Sequence, residues 1–260
     1  MCGIVGIAGR LDREQLEAAV NAMNGALTHR GPDDEGTWIG ENFAFGMRRL
    51  SIIDLAGGHQ PMWDNRTGIG IVYNGEVYNY RSVRSGLEQA GISFHTSSDT
   101  EVVLKSIALK DVDAVHDWNG MFAIAVWNDR EKKLNLIRDR IGVKPLYYYW
   151  DGTILMFASE IKAFLATDLF PRRLNEQAIW DYLTFRYVPG PESIWNNVWK
   201  IPAGHMLEWS PNKEPRVCRY WKTEVLSDED PLDIDKRTKE FEALFLDSVE
   251  KRLLAADVPV

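Results

Sequence analysis

Cys2 is the residue with the sharpest chemical potential, one position after the initiating methionine. An initiator methionine is removed when the residue after it is small, and removal here leaves a free α-amine on the cysteine. An α-amino group titrates near pH 8, close enough to neutrality to act as a base for the thiol of its own residue. Nucleophile and base then share one residue, as in a threonine activated by its own terminal amine. With Met1 attached, the same nitrogen is an amide without useful basicity. For a lone cysteine the competing reading is a bystander at the chain start, although Cys2-Gly3-Ile4-Val5-Gly6 opens a glycine-spaced strand.

Three further segments carry reactive side chains, each with a structural reading beside the chemical one. Asn74-Gly75 follows an apolar run at 69–73. It suits a type I′ hairpin turn, or a side-chain amide and an unhindered glycine N–H able to stabilise an oxyanion. Arg48-Arg49-Leu50-Ser51 offers a solvated edge charge, or a guanidinium fork that fits a carboxylate. Ser98-Asp99-Thr100-Glu101 is a helix start capped by Ser98 or Asp99, or places the Asp99 carboxylate against an ammonium group. His29 and His59 are further candidate bases, and with an α-amine available both are read as structural.

The elements that must position these residues are mostly short strands. Apolar segments recur at 37–39, 43–47, 69–73, 122–128, 134–138, 146–150 and 154–158, with turn chemistry at Asn128-Asp129 and Asp151-Gly152. Helical spacing occupies residues 13–23, and helices are also expected at 81–90, 100–108, 160–166 and 176–185, the last with Asn175 as its N-cap. Strands dominate without a steady βαβ alternation, which predicts an α+β fold with antiparallel sheets. Residues 211–231 are polar and proline-punctuated and read as a connector. Phe241, Leu244, Phe245, Val249 and Leu253 then recur at helical spacing on a helix over 234–255, whose apolar stripe has no evident partner in the remaining sequence.

Composition narrows the function classes. The chain has 260 residues with 30 basic and 38 acidic side chains, a net charge of −8, which argues against a nucleic-acid groove. The longest unbroken apolar run, 121–127, is far below the roughly 20 residues of a membrane helix. Acidic residues at 12, 14 and 17 interrupt any signal-peptide core, so a cytoplasmic protein is expected. Two cysteines, Cys2 and Cys218, form neither a disulfide framework nor a metal site of ordinary spacing.

Taken in order, the motifs resemble one family. Cys2-Gly3-Ile4-Val5-Gly6, His29-Arg30-Gly31-Pro32-Asp33, Arg49-Leu50-Ser51-Ile52-Ile53-Asp54, Gly58-His59-Gln60-Pro61 and Tyr73-Asn74-Gly75-Glu76 are followed by Ser98-Asp99-Thr100-Glu101 and Asn119-Gly120-Met121-Phe122-Ala123. Arg138-Asp139-Arg140, Lys144-Pro145-Leu146-Tyr147-Tyr148 and Phe157-Ala158-Ser159-Glu160 complete the series. The chain resembles the N-terminal class II glutamine amidotransferase half of the glutamine-hydrolysing asparagine synthetases. The resemblance implies a four-layer αββα sandwich, the fold of N-terminal nucleophile hydrolases. It implies Cys2 as nucleophile and Asn74 with the Gly75 N–H as oxyanion hole. Arg49 is then expected on the α-carboxylate of glutamine, Glu76 and Asp99 on its α-ammonium, and the backbone around Ile53 on the rest of the amino acid.

The same resemblance divides the chain into an amidotransferase domain at 2–212, a connector at 213–233 and the leading helix of an ATP-dependent synthetase domain at 234–260. The pyrophosphate loop with which the family continues is absent from the sequence. This chain should therefore need no cofactor or metal and should not make asparagine alone. ATP and Mg are expected only for a full-length synthetase. The expected partners are glutamine and a synthetase domain or subunit that receives ammonia, with a homodimer as a further expectation and neither nucleic acid nor membrane. Two alternatives stay open, an amidotransferase for a different carboxylate acceptor and an inactive binding module.

Overall fold

Gly3–Gly9 forms β1, buried on both faces because strands flank it and separate layers cover it above and below. Its alternation is strict. Ile4 and Ala8 point into a core shared with the second sheet, while Val5 and Ile7 point into a core shared with a helix. Gly6 is required by close approach, since a Cβ there would lie 2.2 Å from the Phe157 ring. The structure is a computed structural model, and it describes residues 1–51, 54, 57–224 and 234–255.

The covering helix, α1 (Arg13–Gly25), starts with a reciprocal cap. The Asp12 carboxylate accepts from the Gln15 N–H at 2.8 Å, and the Gln15 side chain accepts from the Asp12 N–H at 3.1 Å. Leu16, Ala19, Val20 and Met23 then recur on one face and bury against β1. The chain continues through β2 (Asp34–Ile39), β3 (Phe43–Arg49), β4 (Met62–Asp64) and β5 (Ile69–Val77) to α2 (Tyr80–Gln89) and α3 (Asp99–Lys110). Next come β6 (Gly120–Asn128), β7 (Lys133–Arg138), β8 (Tyr147–Trp150), β9 (Ile154–Ala158) and α4 (Glu176–Phe185). The last elements are β10 (Val198–Lys200), β11 (His205–Trp209), β12 (Arg216–Arg219) and α5 (Ile234–Ala255).

Among the described residues these strands make two six-stranded antiparallel sheets, in the orders β10-β8-β9-β1-β3-β2 and β12-β11-β7-β6-β5-β4. Their facing surfaces enclose one core, in which Phe43 stacks on Trp127 at 4.4 Å between ring centroids. α1 and a 3₁₀ helix (Ile161–Ala166) cover the first sheet, and α2 with α3 cover the second through Tyr73, Ile71, Ile124, Val102 and Ile107. The layers run helix, sheet, sheet, helix, which is the α+β, αββα arrangement expected from the sequence.

Three local expectations are revised. Asn74-Gly75 is not a turn; it lies inside β5, with Asn74 opposite Ala123 and Gly75 opposite Phe122 of β6. The helix expected at 160–166 winds over 161–166 as the tighter 3₁₀ helix rather than an α-helix. Residues 216–219, assigned to a connector, form the edge strand β12, paired with β11 from His205↔Arg219 to Glu208↔Arg216. On an exposed edge an alternating apolar face is not needed, so the sequence carries little strand signal there.

The terminal α5 forms as its spacing predicts, with Phe241, Phe245 and Val249 68%, 55% and 39% exposed. An exposed aromatic stripe of this kind promotes association. Concentration-dependent self-association, lost on deleting residues 234–260, is the expected result in sedimentation velocity. A monomer at every concentration in both forms would contradict it.

Candidate active site

The ends of β1, β3 and β5 meet the N-terminus of α3 around a cavity of about 380 Å³. Its walls include Cys2, Arg49, Asn74, Glu76, Asp99 and Lys144. The backbone of Gly75 also lines it, so the described residues predicted from sequence converge on one space; Ile53 lies outside the described residues. A larger cavity of about 520 Å³, at the Gly9 end of β1, brings together none of them.

Cys2 is pinned at the mouth of β1. Its thiol lies 3.6 Å from the Leu50 carbonyl, to which it donates, and accepts from the Leu50 N–H at 3.4 Å. Arg30 Nε donates to the Cys2 carbonyl at 2.8 Å, and the same guanidinium pairs with Glu160 at 2.8 Å. Ser159 Oγ accepts from the Ile4 N–H at 3.0 Å. Burial pushes the thiol pKa up, against the opposing pull of the Leu50 N–H and the nearby positive charges. The thiol therefore needs a base. Burial also lowers the pKa of the terminal amine, which in this form belongs to Met1.

In the lining of the same cavity, Asn74 is only 1% exposed, and its Nδ2 has no hydrogen-bond partner among the described residues. A buried unpaired donor costs about 1–3 kcal/mol. The position tolerates that cost on the wall of the cavity, where a ligand oxygen would repay it. The adjacent Gly75 packs so closely on β6 that a Cβ would lie 2.3 Å from the Met121 carbonyl oxygen.

The cavity lining carries charged groups of both signs, Arg49 and Lys144 with Glu76 and Asp99. Arg49 is 5% exposed, and its Nη2 donates to the Asp54 carbonyl at 2.7 Å. Gly58 leaves room for it, because a Cβ there would lie 2.1 Å from that nitrogen. In the same lining Asp99 is 4% exposed and accepts from the Tyr73 hydroxyl at 2.8 Å and the Val77 N–H at 3.2 Å. Ser98, not Asp99, caps α3, accepting from the Thr100 N–H at 3.1 Å. That leaves the Asp99 carboxylate for the cavity. Burial pushes the Glu76 carboxyl up and, outweighing the two hydrogen bonds, takes the Asp99 carboxyl from near 3.8 to about 6. An arginine facing two carboxylates across a small cavity matches the ends of a free α-amino acid.

His29 and His59 stand outside this cavity. His29 bonds Glu160 at 3.1 Å, and His59 bonds Asp34 at 2.8 Å. Lys144 was not singled out from sequence, yet it is 6% exposed and lines the cavity. Its only sequence signal is membership of the Lys144-Pro145-Leu146-Tyr147-Tyr148 motif. No group of three or more His, Cys, Asp or Glu suited to a metal occurs among the described residues, and none of their helices is long and apolar enough to cross a membrane.

The raised Asp99 pKa gives a signed pH prediction. Folded Asp99 holds its proton more tightly than the unfolded chain does. Its stabilising contribution is thus complete below about pH 4 and is lost as pH rises through about 6, an amount of order 3 kcal/mol. An ammonium group bound against this carboxylate would need its ionised form, so affinity for a ligand held that way should fall about tenfold per pH unit below pH 6. Calorimetric titration of Cys2→Ala protein with glutamine between pH 5 and 8 checks this. With Asp99→Asn the binding should be weak, and the part of the pH dependence carried by Asp99 should be gone.

A family model described as a glutamine amidotransferase domain matches residues 1–221. A Methanocaldococcus jannaschii homologue of the glutamine-hydrolyzing asparagine synthetases is 38% identical over 283 residues, covering all of this chain and 53% of its own length. Asparagine synthetase (glutamine-hydrolyzing) 1 of Bacillus subtilis is 35% identical over 271 residues, covering all of this chain and 41% of its own length. The chain thus spans about half the length, or less, of these relatives. Among solved structures, the glutamine phosphoribosylpyrophosphate amidotransferase of B. subtilis superposes with a TM-score of 0.62 at 18% identity, over 85% of this chain and 50% of that one. That likeness shows the fold, the αββα sandwich of two antiparallel sheets between helical layers. With the family match over most of its length, the chain belongs to the glutamine amidotransferase domain family.

Proposed function

We propose that this chain hydrolyses glutamine to glutamate and ammonia with Cys2 as an N-terminal nucleophile. The observation that carries the reading is the unpartnered Asn74 amide, buried in the wall of the cavity that holds the Cys2 thiol. Removal of Met1 turns the Cys2 nitrogen into a free amine. Arg49 binds the α-carboxylate, and Glu76 with Asp99 binds the α-ammonium, together with backbone around residue 53. The amine takes the thiol proton as the sulfur attacks the side-chain amide carbon. Asn74 Nδ2 and the Gly75 N–H stabilise the oxyanion. The protonated amine returns its proton to the leaving nitrogen, and ammonia departs from a γ-glutamyl thioester. Water, deprotonated by the same amine, attacks the thioester and releases glutamate and the free thiol.

The ammonia would serve a synthetase domain or subunit of the kind carried by the longer relatives, where ATP and Mg would support asparagine formation from aspartate. The glutamine-hydrolysing step itself would need no cofactor within these residues, and a cytoplasmic location and homodimer fit it. A relative with a different name, Amidase chry2 of Gibberella zeae, is 35% identical over 95% of this chain, and it leaves a second acceptor open. The amidotransferase step is the same in both readings.

The test is product analysis with the purified chain. Glutamate and ammonia should appear in equal amounts from glutamine, with no asparagine formed from aspartate and ATP. Absence of glutamate from protein whose mass shows Met1 removed would overturn the reading in favour of a binding module.

A further inference from the structure

Lys144 is buried in the wall of the proposed site and takes no part in the reaction described above. Its ammonium makes no hydrogen bond or ion pair among the described residues, and that nitrogen is not among their sealed unpaired donors, so it stays open to the cavity that Lys144 lines. The backbone around it is nevertheless held from both sides. Asp139, fully buried, accepts from the N–H groups of Phe122 at 3.2 Å, Ile141 at 3.3 Å, Val143 at 2.9 Å and Lys144 itself at 2.9 Å. Arg138 donates to the carbonyls of Lys144 at 2.8 Å, Gly142 at 2.7 Å and Ile201 at 2.6 Å. Pro145 then disfavours a helical conformation at Lys144. The segment is a rigid mount for one cation.

The charges around it define what that cation does. The Arg30 guanidinium, from the turn before β2, is already paired with Glu160, and Asp33 from the same turn places a negative charge nearby. Arg49, at the end of β3, bonds the Asp54 carbonyl and faces the α-carboxylate end. Glu76 and Tyr73 face the cavity from β5 and Asp99 from α3, while Arg252 of α5 lies over the Tyr78 ring and also acts on Glu76. Asp139 contributes its negative charge from beneath the loop. Lys144 is thus the cation without a fixed anionic partner that faces Cys2 and Glu76 together.

We propose that Lys144 is a positioning residue that sets the charge state of the nucleophile, favouring thiolate over thiol, neutral amine over ammonium and the Glu76 carboxylate over its acid. The directions agree. Burial raises the Cys2 thiol and the Glu76 carboxyl, and Lys144 pulls both down; while Met1 is present, burial lowers its amine and Lys144 lowers it further, and a cation beside Cys2 acts in the same direction on the amine that loss of Met1 exposes there. Burial lowers Lys144 itself, while Glu76 and Cys2 hold it up. Without the lysine all three groups should need a higher pH to reach their reactive forms.

The inference rests on the glutaminase reading, so its test has a readout independent of turnover. In the chain beginning at Cys2, the rate of alkylation of Cys2 by iodoacetamide is followed against pH by peptide mass, beside kcat/KM for glutamine. Lys144→Met, with Lys144→Gln as a second neutral variant, should move both midpoints up by about one pH unit and slow alkylation at pH 7 about tenfold. Lys144→Arg should restore them. Neutral variants with unmoved midpoints, whatever their kcat, would overturn the proposal, as would an arginine variant that behaves like methionine. If the unsubstituted chain releases no glutamate while the alkylation midpoint still moves, the glutaminase reading fails and the role of Lys144 stands.

Discussion

Cys2→Ala protein is expected to fold and bind glutamine but to lose at least about 10⁴-fold in its hydrolysis, because one residue supplies the nucleophile of both chemical steps. The fold should hardly notice. The Sγ makes two long contacts to Leu50, at 3.4 and 3.6 Å, and the strand is held instead by Arg30 on the Cys2 carbonyl and by Ser159 on the Ile4 N–H. None of these anchors uses the thiol, so the melting temperature should stay within a few degrees. Protein retaining Met1 should be equally inactive with its thiol intact, since its Cys2 nitrogen is an amide. Glutamate release by either form at the rate of the processed chain would contradict an amine-activated cysteine.

The second large effect separates catalysis from stability. Asn74→Ala removes a buried amide whose Nδ2 has no partner among the described residues. Turnover should fall about 10²–10³-fold, mostly in kcat, because the donor acts on the oxyanion rather than on bound glutamine. Stability should hold or rise by about 1 kcal/mol, since an unsatisfied polar group leaves the interior. Loss of activity with a steady or raised melting temperature is the signature of a group kept for function at the expense of stability. An equal drop in both would make Asn74 a structural residue.

Much of this architecture was legible before the structure. β1 and α1 were visible because one is a continuous apolar, β-branched run spaced by glycines and the other keeps the three-and-four spacing of a single apolar face. The three-residue strands β4 and β10 are too short to express any period, and β12 sits on an edge where alternation is not required. Asn74-Gly75 misled locally for a physical reason. The pair suits a hairpin turn, yet the next residues, Glu76 and Val77, continue the ladder with Met121 and Gly120 of β6. There the glycine answers close packing instead of positive φ.

The site itself was legible only as scattered pieces. Its members come from the ends of β1, β3 and β5, the first residue of α3 and the loop before β8. No local periodicity ties Cys2 to Asp99, and only the ordered resemblance to a family suggested that they meet. Lys144 escaped because a lysine before a proline reads as a surface loop. Its burial follows from Asp139 and Arg138 gathering the backbone around it, which composition and spacing do not encode.

The central claim is a covalent bond between the side-chain carbonyl of glutamine and the sulfur of an N-terminal cysteine. It is tested most directly by mixing the chain lacking Met1 with glutamine, quenching in acid during turnover and determining the mass of the N-terminal peptide. A γ-glutamyl increment on the peptide that begins at Cys2, absent from Cys2→Ala protein and from protein retaining Met1, is the result expected. Glutamate release with an unmodified N-terminal peptide at every quench time, undiminished when Met1 is retained, would contradict it.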